Sequence, residues 1–157
     1  MPHKIAMSRR DHPDHHPGAQ VPVVAAVAVG GAAGACARVG AERLWPDYQP
    51  PDFPWTILLV NTTGCLLMGV LMATVKFGFP NAPRLISPLL GTGVLGGFTS
   101  FSHYTDNVRL LFHRGQPGYA VGDLLLTPAA ALTAVTVGAL GTRALLTRVR
   151  ATGGGGR

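Results

Sequence analysis

Residues 91–104 read GTGVLGGFTSFSHY, and they place four glycines, a run of Thr and Ser hydroxyls and a histidine inside a long apolar region. Glycine costs about 1 kcal/mol per residue in a helix interior, and Thr and Ser compete for the backbone's own hydrogen bonds. The stretch predicts an interrupted helix, with a glycine-rich packing face on an unbroken helix as the alternative. Freed backbone groups facing hydrocarbon are expensive, so a break has to face protein, water or an ion. Asn61, in VNTTGCLLMG, sets an amide in another apolar run. It must pair, either as glue between helices or by facing an interior or a pore. Arg38 follows Gly30-Gly-Ala-Ala-Gly34, a small-residue packing pattern ahead of a cation able to snorkel to an interface. The cluster His12-Pro-Asp-His-His16 has metal-ligating residue types but no second ligand group or rigid element behind it. His103 and Asp106 stand at i, i+3 and could share a helix face, yet lack a nucleophile or metal partner for hydrolytic chemistry.

The elements that must position these groups are membrane spans. Of 157 residues, 47% are hydrophobic and only 13% charged, against roughly a quarter charged in soluble domains. The length suits one domain. Four stretches, 21–40, 55–75, 85–111 and 119–142, are long enough and apolar enough to meet the ~20 residues that cross a ~30 Å hydrocarbon core. Trp45, Tyr48 and Trp55 lie at the ends of the first two, where interfacial aromatics belong. The 21 glycines and the alanine tracts predict closely packed helices. The third stretch carries residues 91–104; the fourth is interrupted only by Asp123 and Pro128. Cys36 and Cys65 sit in apolar segments and read as small hydrophobes rather than a disulfide framework.

The first twenty residues are polar and Pro/His-rich, with no apolar core of the kind a cleaved signal peptide has, and are expected to be a disordered cytosolic tail. The closing ATGGGGR reads as a flexible end. The net charge of +6 is scattered over segment ends rather than gathered in a stripe, which argues against nucleic acid as a partner. With four spans, both termini and the loop between spans two and three share one side. That side carries nine of the thirteen Lys and Arg; Arg38, Arg43, Arg109 and Arg114 are on the other. The positive-inside rule places both termini in the cytoplasm.

Taken in order, Gly30-Gly31-x-x-Gly34-x-x-x-Arg38, Val60-Asn61-x-x-Gly64 and Gly96-Gly97-Phe98-Thr99-Ser100-Phe101-Ser102-His103-Tyr104 on four short spans resemble the Fluc/CrcB family of fluoride channels. The resemblance covers nearly everything but the tails. It implies an all-α membrane protein of four transmembrane helices, the third broken near its middle, in an antiparallel dual-topology dimer with two fluoride pores. The four-helix channel domain would occupy residues 21–145, between a tail at 1–20 and a flexible tail at 146–157. A structural sodium ion at the dimer interface would be held by backbone carbonyls, by motif position those of Gly96 and Thr99. The fluoride pore would draw on Asn61, Ser102 and two aromatic ring edges, Phe101 and Tyr104, with Arg38 near a pore entrance. The activity implied is passive export of fluoride across the cell membrane, protecting against fluoride that enters as HF.

The chain makes four departures from the family pattern. Tyr104 stands for a phenylalanine and His103 for a threonine; Thr56-Ile57 occupies the place of a Gly-Thr pair. In the fourth span, Asp123, Thr127, Thr133 and Thr136 fall where a tyrosine and serines are expected, and Pro128 adds a kink. Nine positive charges against four also suit a chain of fixed orientation, working with an oppositely oriented paralogue rather than as a homodimer. Two other readings compete with an autonomous channel: a non-conducting partner subunit, and a small proton-coupled multidrug transporter. The transporter needs a membrane carboxylate; spans one and two have none, and Asp106 and Asp123 lie towards the ends of theirs.

Overall fold

The computed structural model describes residues 20–46, 53–79 and 81–153, and the regular structure among them is helical. Helix α1 (Val21–Leu44) has proline in its first turn, where the missing N–H costs nothing. Helix α2 (Trp55–Ala73) has no formal charge and continues in wider, π-type turns over Thr74–Gly78. Helix α3 begins as a π-type segment, Ser87–Leu95, and closes with one α-turn, Gly96–Phe98. Helix α4 (Phe101–His113) follows after two residues, and α5 (Pro117–Gly153) ends the described chain. The His12–His16 cluster lies outside the described residues.

Three helices are long and apolar enough to cross a membrane: Val21–Leu44, Trp55–Gly78 and Pro117–Thr152. The third expected span is present in two pieces, α3 and α4, neither of which qualifies alone. This is an all-helical, multi-pass membrane protein. At 1.5 Å per residue, the 36-residue stretch of α5 is about 54 Å long, well beyond a ~30 Å hydrocarbon core. Helix α5 runs on past residue 146 to Gly153. Its extension packs: Leu146 lies beside Gly78, and Arg150 donates to the Phe77 carbonyl. Arg143 and Lys76 flank the Phe77 ring at 5.3 and 5.6 Å from its centroid. The basic ends of α2 and α5 therefore share one end of the molecule. At the opposite end, Thr56 donates to the Trp45 carbonyl and ties the start of α2 to the end of α1.

Glycine makes the packing possible where backbones touch. A Cβ on Gly34 would run into the Val94 carbonyl, and one on Gly97 into the Gly31 carbonyl, so α1 and α3 lie backbone to backbone. On the other side, Gly69 meets the Val135 carbonyl of α5 and Gly138 meets the Leu66 carbonyl of α2. Such close approach replaces the hydrophobic drive that helices lack in lipid. Gly69→Ala is expected to destabilise the protein by about 1–3 kcal/mol through overpacking, read as a lowered melting temperature in detergent. Ile57, Tyr104, Val108, Leu111 and Ala120 form a buried cluster that fixes α4 between α2 and α5.

Candidate functional site

The site forms where the third span comes apart. Thr99 (φ −76°, ψ 151°) and Ser100 (φ −143°, ψ 109°) are both extended, between the last turn of α3 and the first of α4. Gly64 lets this break approach α2, since a Cβ there would collide with the Thr99 methyl group. From the same helix, one turn earlier, Asn61 reaches the break with its amide. Ser100 N–H donates to Asn61 Oδ1 at 2.8 Å, and Asn61 Nδ2 donates to the Ser100 carbonyl at 3.3 Å. One side chain thus satisfies both backbone groups of the residue at which the helix is interrupted. Both residues are buried, so neither group has bulk water to fall back on.

Ser100 also starts the next helix. Its hydroxyl accepts from His103 N–H at 3.2 Å, the usual N-cap bond, and lies 3.2 Å from Ser102 Oγ and 2.9 Å from His103 Nδ1. These diversions have a consequence for the carbonyls. The donor that would close an α-turn onto Gly96 C=O is Ser100 N–H, which is given to Asn61. The donor for Thr99 C=O is His103 N–H, which is given to the Ser100 hydroxyl. Both carbonyls are thereby released from their i+4 partners, and they are the two that the motif assigned to a cation.

Arg38 lies along the break rather than standing clear of it. Its Nε donates to the Gly97 carbonyl at 3.5 Å, and its Nη1 donates to Glu42 Oε1 at 3.1 Å and to His103 Nδ1 at 3.2 Å. The charge is half-buried and partly offset by Glu42. The His103–Asp106 pairing considered from spacing is not brought together: Asp106 accepts from Arg109 Nε and Nη2 at 3.0 and 2.8 Å.

Beside the break runs a groove of about 370 Å³, lined by Asn61, Thr99, Phe101, Tyr104, Thr127 and Pro128 among others. Three of the four residues assigned to a pore, Asn61, Phe101 and Tyr104, line this groove; Ser102 does not, though its hydroxyl lies 3.2 Å from that of Ser100, which does. The two rings are 5.6 Å apart between centroids and tilted by 52°. They differ in setting. Tyr104 is buried, whereas Phe101 is 78% exposed on a face that no helix among the described residues covers. Of the fourth-span candidates, Thr127 lines the groove and donates to buried Asp123 at 2.6 Å. Thr133 and Thr136 bond back to the Ala129 and Leu132 carbonyls of their own helix.

Sequence reasoning missed Glu42, Ser100 and the acceptor on α5 that Tyr104 finds. An i, i+4 charge pair signals the first, and a serine directly ahead of a helical run signals the second.

Three apolar spans and a fourth unwound at its centre, with an asparagine amide holding the gap, define a small multi-pass membrane protein built around a broken helix. The chain belongs to the CrcB family: the family model described as "CrcB-like protein, Camphor Resistance (CrcB)" matches residues 25–139, as the motif resemblance implied. It is 47% identical over 127 residues to "Fluoride-specific ion channel FluC 1" of Streptomyces coelicolor, covering 81% of each chain. It is 45% identical over 127 residues to "Fluoride-specific ion channel FluC 2" of Thermobifida fusca, covering 81% of this chain and 93% of that one. A third relative, "Fluoride-specific ion channel FluC" of Paracoccus denitrificans, is 40% identical over 116 residues, with 71% and 90% covered.

Proposed function

We propose that this chain forms a fluoride-specific channel of the cell membrane, which lowers cytoplasmic fluoride by passive efflux. The observation that carries the reading is the Asn61 amide spanning the Thr99–Ser100 break on the wall of a groove that also holds Phe101 and Tyr104. Family membership and the names of the relatives support it. Fluoride is small and strongly hydrated, so a selective path must replace its water with hydrogen-bond donors and positive edges. Asn61 has a second amide hydrogen, Ser102 a hydroxyl, and each aromatic ring a positive rim. Arg38, held over the break, biases the local field toward anions.

Phe101 lines the groove and is exposed among the described residues, so that wall of the groove is uncovered. A second copy, or a paralogue, of opposite orientation completes the pore. The released carbonyls of Gly96 and Thr99 fit a structural sodium ion at such an interface. They are hard oxygen donors at an unwound helix, and two per chain fall short of the usual coordination number unless a partner supplies the rest. Bound there, the ion would neutralise four carbonyl dipoles and fix the two breaks against each other. Membrane lipid surrounds the outer faces, and both termini are cytoplasmic.

The charge distribution favours a second arrangement within the same function. Nine positive charges on one side against four on the other oppose insertion of one sequence in both directions, so the chain is a subunit paired with an oppositely oriented paralogue. Fluoride efflux from liposomes decides between them, with chloride as control. Fluoride-selective efflux from this chain alone supports the homodimer; efflux only when a paralogue is added supports the pair. Absence of fluoride efflux in both preparations overturns the channel reading.

A further inference from the structure

Tyr104 lines the groove, and its phenol reaches across to α5. Its hydroxyl donates to the Leu124 carbonyl of α5 at 2.8 Å. In an uninterrupted helix that carbonyl would already be taken by the N–H four residues on. Residue 128, however, is a proline inside α5, and it has no N–H to give. Its ring also crowds the carbonyl four residues earlier and tips it away from the helix axis. Leu124 C=O is therefore an acceptor created by Pro128, and the Tyr104 phenol is the donor that meets it. Both residues line the same groove.

We infer that Pro128 is a positioning residue for the aromatic edge at Tyr104: by withholding an N–H from Leu124 it anchors the phenol on α5 and fixes which rim of the ring faces the groove. The inference rests on the channel reading and deepens it. With the para position committed to α5, the ring offers the groove only its C–H flank, and the phenol stays out of the ion path. The two departures in this region, a tyrosine and a mid-helix proline, then work as one device rather than as independent changes.

The pairing predicts a rescue. In Pro128→Ala the new N–H takes the Leu124 carbonyl, and the released phenol turns into the groove as an extra donor. In Tyr104→Phe the carbonyl is orphaned and the ring loses its anchor. Each single variant is expected to slow fluoride efflux from liposomes roughly fivefold, the scale of one net hydrogen bond. Each should also shift the fluoride-to-chloride selectivity ratio, which a merely structural loss of active protein would leave alone. The double variant has a self-sufficient helix and an unanchored but donor-free ring, and should recover most of both quantities. Single variants with wild-type rate and selectivity overturn the inference, as does a double variant whose loss is the product of the two single losses. If the unmodified chain passes no fluoride, alone or with a paralogue, the channel reading fails separately. Melting temperatures of the same four proteins in detergent then decide the pairing: non-additive losses uphold it, and additive losses overturn it.

Discussion

Asn61→Ala is expected to cut fluoride efflux at least about a hundredfold and to lower the melting temperature as well. The reason is local. Asn61 is the partner of both Ser100 N–H and Ser100 C=O at the extended break. Alanine leaves two buried backbone groups unsatisfied, each costing about 1–3 kcal/mol. Their combined cost, about 2–6 kcal/mol, can be relieved only by rewinding or collapsing the break. Rewinding would return the Gly96 carbonyl to its helical donor and turn the Phe101–Tyr104 edge away from α2. Because every 1.36 kcal/mol is a factor of ten, about 2.7 kcal/mol suffices for the hundredfold loss. Asn61→Asp separates the two parts of the role. The carboxylate keeps the acceptor for Ser100 N–H but has no donor for Ser100 C=O, and it adds a negative charge beside the proposed anion path. Its melting temperature should fall between those of the wild type and the alanine variant, with efflux as low as in alanine. An alanine variant that melts and conducts like the wild type would show that this amide does not hold the break.

How far the site was legible follows from what each signal depends on. The interruption of the third span was readable because glycine and hydroxyl content are properties of the chain itself. The extended pair at Thr99 and Ser100 falls inside the stretch they marked. The partner of Asn61 was not readable. An intramembrane amide announces that it must pair, but only the meeting of α2 with the break shows that both its ends go to one residue. Arg38 was expected near an entrance, as a lone cation at a helix end; Glu42, one turn on, was available by simple i, i+4 spacing and changes its electrostatic setting. The far end of α5 was hard to read for a different reason. Arg143, Arg148 and Arg150 interrupt the apolar run without ending the helix, and Leu145, Leu146 and Val149 continue among them. The acceptor for Tyr104 was half-written in the sequence. Pro128 declares a free carbonyl at residue 124, but which donor arrives is decided by the packing of α4 on α5.

Phe101→Ile gives the complementary result: efflux is expected to fall roughly thirtyfold with no change in melting temperature of the isolated chain. The side chain is 78% exposed and packs only loosely within its own chain, so replacing it removes little internal burial. Isoleucine is apolar, and it preserves insertion and most of the contact area available to a facing subunit. What it lacks is the positive rim of a ring. A cation over a desolvated ring face gains about 2 kcal/mol, and an anion at the ring edge, the opposite pole of the same quadrupole, is expected to gain a similar amount, which corresponds to that thirtyfold change. The tilt of 52° between the Phe101 and Tyr104 rings keeps them from stacking face to face, so loss of the first ring should not be compensated by the second. Phe101→Trp, which keeps an aromatic rim, should retain more efflux than isoleucine despite its larger volume. Oligomeric state measured alongside efflux separates the two roles an exposed aromatic can have here. Loss of efflux in an intact assembly places the ring edge in the fluoride path; loss of efflux together with dissociation makes it an interface anchor; and unchanged efflux in an intact assembly removes Phe101 from the pore.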